Sequence, residues 1–307
     1  MLHNFERRVA ITMAHALRAL PSKLRVFSEV GLIACVLGAV MFPLPLVLRW
    51  PIAIGVAVWS GASVVTSRLW RANKGHAAAA GMLMAISLAG LFFAPGAAYI
   101  PGVLLAAMLQ NVWLLMFVGV LVWCDDNGPS HLGWHRSGWQ RDALGSVLIL
   151  AGTFATHLCA AMLIAIVVAV TDPSGFQEQL EERSQVLQDL LGDTPAWQFA
   201  LLMLWVGLFE ETVFRAFLLP RLKLLLRSWP LALVLGGALF GIGHLYEGPV
   251  AVFQTAVLGV YFGAAYVWRG RLLGVALAHA GFNIAMFVLL LATREGLFDA
   301  LSDGAIP

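Results

Sequence analysis

The sequence predicts an all-α, polytopic membrane bundle of about eight to nine transmembrane helices, preceded by an N-terminal amphipathic helix. Of its 307 residues, 60% are hydrophobic and 12% are charged, about half the charged fraction of an average soluble domain. Apolar stretches of about 17–25 residues recur along the chain, and each could cross a hydrocarbon core of about 30 Å. This composition excludes a soluble fold. A net charge of +2 gives no electrostatic reason to expect a nucleic-acid partner.

The number of spans depends on the first two apolar segments, which three prolines interrupt. Pro43, Pro45 and Pro51 could turn this region into one broken helix and a re-entrant piece, giving eight spans instead of nine. The nine predicted segments are 30–48, 51–67, 76–94, 103–123, 143–170, 197–219, 231–246, 250–268 and 272–292.

The positions of the basic residues predict the orientation of the bundle. In a nine-span arrangement, all but three of the 19 Lys and Arg residues fall on the side of the N-terminus, and only Arg49, Arg183 and Arg294 fall opposite. Because cytoplasmic loops carry the excess of Lys and Arg, the N-terminus is expected in the cytoplasm. An even number of spans made by merging the first two segments would place the N-terminal charges on the wrong side.

The chain is expected to form one membrane domain with four regions and no internal repeat. The regions are an N-terminal cytoplasmic amphipathic segment (1–28), a set of N-terminal transmembrane helices (29–142), a membrane core with intramembrane polar residues (143–293, including an external acidic loop, 171–196) and a C-terminal tail (294–307).

Two carboxylates and an arginine interrupt the apolar segment 197–219. A charge at bilayer depth costs at least about 2.5–3.5 kcal/mol, so such residues persist mainly where they face a cavity or a partner. Glu211 and Arg215 are four residues apart and are expected to form an ion pair on one helical face. Glu210 is rotated by about 100° and must find its partner on another helix or in water. An interhelical ionic lock is the structural alternative to a reactive site.

Two further segments carry polar residues at helical spacing. Phe240 and His244 are four residues apart in 231–246, and His279 and Asn283 are four residues apart in 272–292. An imidazole and an amide on one helical face suit the stabilisation of a developing oxyanion. Depth estimates at about 1.5 Å per residue allow Glu210, His244, His279 and Asn283 to meet in one cavity open to the cytoplasmic half.

Together these residues resemble the CAAX protease and bacteriocin-processing (CPBP, or Abi) family. The family's EExxxR motif matches Glu210 to Arg215, FxxxH matches Phe240 to His244, and HxxxN matches His279 to Asn283, in the family's order. The resemblance covers about residues 195–292. It implies an all-helical membrane fold that hydrolyses peptide bonds near the cytoplasmic side, and we expect an integral protein of a bacterial cytoplasmic membrane.

By the resemblance to Ras-converting-type members, the catalytic residues would be Glu210, His244, His279 and Asn283. Glu210 would be the base, assisted by His244, while His279 and Asn283 would stabilise the oxyanion. Glu211, Arg215 and Phe240 would have orienting or structural roles.

The mechanism could be zinc-dependent or metal-free. Zinc is possible, because Glu210, His244 and His279 could supply an N/O ligand set. HExxH is absent, however, and we favour a metal-free mechanism.

Three functions remain open from the sequence. The first is an intramembrane endopeptidase that acts on a membrane-associated or lipidated protein or peptide. The second is a non-catalytic immunity or regulatory protein that binds a peptide through the same polar cluster. The third is a transporter with buried titratable groups, for which no inverted repeat gives support.

Overall fold

A computed structural model describes residues 23–41, 46–65, 67–93, 103–124, 132–133, 138–171, 185 and 195–294. The predicted amphipathic helix at the N-terminus, most of the acidic loop and all but one residue of the C-terminal tail lie outside these residues.

The described residues form helices and contain no strand, which confirms the predicted all-α class. Most boundaries lie within a few residues of the predicted apolar segments. The first helix differs, because it begins seven residues before the predicted position 30, at Lys23. In chain order the helices are α1 (Lys23–Met41), α2 (Leu46–Val65), α3 (Arg68–Ala72), α4 (Lys74–Phe93), α5 (Val103–Cys124), α6 (Trp139–Thr171), α7 (Ala196–Glu210), a π-helix (Glu211–Leu218), α8 (Leu219–Leu226), α9 (Trp229–Ile242), a 3₁₀ turn (Leu245–Glu247), α10 (Pro249–Arg269) and α11 (Leu272–Arg294).

The protein is an integral membrane protein. Four described helices, α4, α6, α10 and α11, are long and apolar enough to cross a bilayer, and three further apolar helical stretches are shorter. Large apolar side chains on α6, such as Leu144, Leu148 and Val170, are 69–82% exposed on the outside of the bundle, where lipid can cover them. The total of eight or nine spans stays a prediction.

Glycines allow α9 and α10 to pack at short range. A Cβ atom on Gly237 would lie 2.5 Å from Val260 Cγ2, and one on Gly241 would lie 2.4 Å from the Val252 carbonyl oxygen. Small residues at such contacts let helix backbones approach closely in membranes. This packing brings Phe240 on α9 and Phe262 on α10 to opposite sides of one buried region.

The predicted single helix over 197–219 is wrong in detail, because a π-helix occupies its C-terminal part. The amide of Leu219 donates to the Phe214 carbonyl, five residues back. Pro220 follows at once, and proline has no N–H to donate and clashes with the carbonyl four residues before it. A regular α-helix therefore cannot continue unchanged through this point, and the widened turn lies directly before the proline.

The predicted helix over 231–246 is also shorter than expected. Ser228 caps the start of α9 by accepting a hydrogen bond from the Leu231 amide, and α9 ends at Ile242. His244 lies in the turn that follows, where its amide donates to the Gly241 carbonyl. Gly241 lies in the last turn of α9 and Gly243 directly after Ile242, and glycine lowers helix stability by about 1 kcal/mol relative to alanine.

Candidate active site

Glu210 is the last residue of α7 and Glu211 is the first residue of the π-helix. The Glu211 side chain is fully buried, and its Oε1 atom lies 2.9 Å from Nη1 of Arg215, whose side chain is 3% exposed. This contact confirms the predicted ion pair between residues four apart. Because neither charge reaches solvent, the pairing offsets a desolvation cost of several kcal/mol per ion.

His279 of α11 lies between the two glutamates. Its Nδ1 atom is 2.9 Å from Glu211 Oε1, and its Nε2 atom is 3.6 Å from Glu210 Oε2. His279 is the ion contact of Glu210, but 3.6 Å is too long for a hydrogen bond, so the expected hydrogen-bond partner of Glu210, on another helix or in water, stays a prediction. Because an ionised carboxylate can only accept, the Nδ1–H of His279 donates to Glu211, and Nε2 faces Glu210. The Glu210 side chain is 17% exposed, more than that of Glu211, Arg215 or His279.

Aromatic rings surround the buried part of this cluster. The guanidinium carbon of Arg215 lies 4.1 Å from the ring centroid of Phe240 and 5.4 Å from that of Phe262. Phe262 also stacks on His279, with ring centroids 4.9 Å apart and an interplanar angle of 24°. Nη2 of Arg215 donates to the Gly259 carbonyl at 3.4 Å. These contacts orient the side chains of Arg215 and His279 and surround the ion pair with apolar rings.

Sequence reasoning missed Phe262 and Gly259, since both belong to α10, which carries no charged residue opposite the cluster. Their only sequence signal is membership of an apolar helix with small residues. The expectation that Phe240 has an orienting position is consistent with its contacts: it packs on Arg215, and its ring centroid lies 5.9 Å from that of His279.

His244 packs against Phe240, the ring that lies on Arg215. The two ring centroids are 4.9 Å apart, and Nδ1 of His244 lies 3.0 Å from the Phe240 carbonyl oxygen. A carbonyl oxygen only accepts hydrogen bonds, so Nδ1 carries the hydrogen, and Nε2 of the neutral ring is an acceptor. The half-buried side chain thus has one fixed nitrogen and one available for chemistry.

Asn283 follows His279 by one turn of α11 and is half-buried, so helical geometry places both on one side of that helix. The structure thus brings Glu210, Glu211, Arg215, His279 and Phe240 into direct contact.

The described residues contain no group of three or more His, Cys, Asp or Glu side chains arranged to hold a metal ion. Nδ1 of His279 is engaged with Glu211 and Nδ1 of His244 with a backbone carbonyl, so each histidine has only Nε2 left for a ligand. The preference for a metal-free mechanism over a zinc set of Glu210, His244 and His279 stays a prediction.

Gly207 sets the distance between the two helices that carry the glutamates and His279. A Cβ atom at this position would lie 2.8 Å from the Ala276 carbonyl oxygen and 3.2 Å from Ala280 Cβ. We expect Gly207→Ala to lower the free energy of unfolding by about 1–3 kcal/mol, because the backbones must separate. Gly81→Ala is the matched control, since nothing lies within 4 Å of its Cβ position. Thermal unfolding in detergent would measure both, and equal midpoints would contradict the close approach.

Comparison with known families agrees with this geometry. Residues 192–285 match the family model described as type II CAAX prenyl endopeptidase Rce1-like. Searches of curated proteins and of solved structures gave no significant match. The matched segment contains the EExxxR, FxxxH and HxxxN motifs in full, as well as α10 with Phe262. The predicted resemblance to the CAAX protease family is therefore confirmed for residues 192–285, which form an Rce1-like segment within this membrane protein.

Proposed function

We propose that the protein is an intramembrane endopeptidase that hydrolyses a peptide bond of a membrane-associated or lipidated protein, using water activated by Glu210 and His244. The observation that supports this best is the position of His279 between a fully buried carboxylate and a partly exposed one. The buried Glu211 holds the imidazole in place, and the more exposed Glu210 is left for the reaction.

The two carboxylates of the cluster outnumber its one arginine. Glu210 and Glu211 carry two negative charges, and Arg215 carries one positive charge, so one proton on Nε2 of His279 makes the four groups neutral. Neutrality matters here because an uncompensated charge is costly in a buried, low-dielectric site. The proposed reaction uses the form in which this proton lies on His279, which leaves Glu210 as a carboxylate able to accept a proton.

In the hydrolytic step, Glu210 accepts a proton from a water molecule as the water oxygen attacks the carbonyl carbon of the substrate. His244 accepts a hydrogen bond from the same water at Nε2 and orients it. The carbonyl oxygen becomes an oxyanion, which the Nε2–H of His279 and the side-chain amide of Asn283 stabilise. The negative charge lost from Glu210 appears on the oxyanion, so the total charge of the site does not change.

When the tetrahedral intermediate collapses, the C–N bond breaks and Glu210 returns its proton to the leaving amine. The products are a new carboxylic acid and a new amine, and Glu210 is again ionised; the acid proton, which came from the attacking water, then passes to the amine or to solvent. Glu211 and Arg215 take no part in proton transfer. Their contribution is to orient His279 and to balance its charge, which agrees with their burial.

Comparative membrane peptidomics of cells that carry the wild-type chain or Glu210→Gln tests this function and identifies the substrate in the same experiment. We expect one precursor protein to accumulate uncleaved in the variant, together with loss of its cleavage product. His279→Ala should accumulate the same precursor. Identical peptide profiles, or complementation of a deletion phenotype by both variants, would reject catalysis in favour of a peptide-binding immunity or regulatory protein.

A further inference from the structure

A second buried charge cluster joins α1 to α8, outside the candidate site. Nε of Arg221 donates to Glu29 Oε2 at 2.6 Å, and Nε of Arg25 donates to Glu29 Oε1 at 3.2 Å. The Glu29 side chain is fully buried, and that of Arg221 is 4% exposed. Such a group is expensive to place in a membrane, so its partners must hold it in a defined position.

Arg221 also contacts the π-helix, through Phe217. Its Nη1 atom donates to the Phe217 carbonyl at 3.1 Å, and its guanidinium carbon lies 3.6 Å from the Phe217 ring centroid. Phe217 belongs to the π-helix that begins with Glu211. The π-helix is therefore held at both ends by buried ion pairs: Glu211 with Arg215 and His279 at the start, and Arg221 with Glu29 just after the end.

The register of the π-helix decides where the two glutamates point. π-turns are rare and less regular than α-helix, and a change of one residue in register rotates the preceding side chains by about 100°. Such a rotation would turn Glu210 and Glu211 away from His279. Fixing the C-terminal end of the π-helix is thus a condition for keeping its N-terminal end in register.

We propose that Glu29 is a positioning residue of the active site: by anchoring Arg221, it holds the π-helix in the register that places Glu210 and Glu211 against His279. Glu29 lies in α1, far outside the matched segment 192–285. Through Arg221, α1 thereby contributes to the geometry of the site. The effect on turnover rests on the proposed function, whereas the effect on the π-helix does not.

The test compares Glu29→Gln with Ile33→Ala in the full chain, reconstituted in nanodiscs. Glutamine keeps the shape of Glu29 but removes its charge, and Ile33, 1% exposed on the same helix, is a packing control without charge. In Glu29→Gln, amide hydrogen exchange should rise at least tenfold over residues 205–222 and stay unchanged over 272–292. Ile33→Ala should lower the thermal midpoint without this local increase.

Turnover gives the second readout, with the precursor found by peptidomics as substrate. We expect kcat of Glu29→Gln to fall about tenfold, with KM within about twofold, because misplacing a catalytic group mainly affects the chemical step. Glu29→Asp should recover part of the loss, and Ile33→Ala should stay within about twofold of wild type.

Each result decides a separate question. If the wild type cleaves nothing, the proposed function fails, while hydrogen exchange still decides the role of Glu29. Wild-type exchange over 205–222 in a folded Glu29→Gln protein would overturn the inference. If that variant does not fold, Glu29→Gln/Arg221→Gln replaces it, because it removes both charges of the Glu29–Arg221 pair: fast exchange confined to 205–222 supports the inference, and unchanged exchange overturns it.

Discussion

Glu210→Gln is expected to lower kcat by about 10²–10⁴-fold, the usual contribution of a general base, with little change in KM. The glutamine amide has the shape of the carboxylate but cannot accept the proton of the attacking water. The fold should be retained, because Glu210 is the more exposed glutamate and its contact with His279 is 3.6 Å long. Purified wild type and variant, assayed on the precursor identified by peptidomics, give the ratio directly.

Asp142→Asn is a matched control for this measurement. It also converts a carboxylate to an amide, at a position on α6 that pairs with Arg271 at 2.6 Å. We expect its kcat to stay within a few-fold of wild type, since the ion pair of Asp142 with Arg271 shares no residue with the contact between Glu210 and His279. Cleavage by Glu210→Gln at the wild-type rate would reject Glu210 as the base.

Arg215→Met should lower the free energy of unfolding by about 3–5 kcal/mol, because it removes the arginine that pairs with the fully buried Glu211. Methionine keeps much of the apolar contact with Phe240 and Phe262, so the loss reports mainly the missing charge. Denaturant or thermal unfolding in detergent measures it.

The double variant Glu211→Gln/Arg215→Met distinguishes the contribution of the Glu211–Arg215 ion pair to stability from the contribution of side-chain packing. Removing both charges should cost less than the sum of the two single changes, because neither variant side chain leaves a buried ion unpaired. Activity should stay low in the double variant, since glutamine no longer holds the imidazolium form of His279. Additive stability losses would contradict the ion pair as the main role of Arg215.

The contacts within one helix were predictable because local geometry determines them. Residues four apart share a helical face, and that rule alone predicted the ion pair between Glu211 and Arg215 and the common side of His279 and Asn283. The motifs likewise predicted the family resemblance that the match over 192–285 confirms. The roles of the individual site residues stay proposals.

Contacts between residues on different helices were harder to predict from the sequence. A partner for Glu210 on another helix or in water was expected, but the sequence did not indicate that His279 makes the ion contact with it. The role of His244 in assisting Glu210 stays a proposal. Helix periodicity over 231–246 also did not predict that α9 stops at Ile242 and leaves His244 in a turn. Pro220 is visible in the sequence, but the contact of His279 on α11 with Glu211 at the start of the π-helix is not.

Glu29 is a buried charged residue that sequence reasoning missed. The predicted first segment begins at residue 30 and so excludes this carboxylate from the intramembrane charges, although it is fully buried beside Arg221.

The sequence by itself determined the helical membrane class, the residues able to carry chemistry and their pairing along each helix, because hydrophobicity and helical periodicity are local properties. Only the tertiary structure decided which nitrogen of His279 meets which glutamate, which aromatic rings enclose Arg215, and that Glu29 of α1 pairs with Arg221 of α8. Those contacts join residues far apart in the chain, and the packing distances and rotations of whole helices set them.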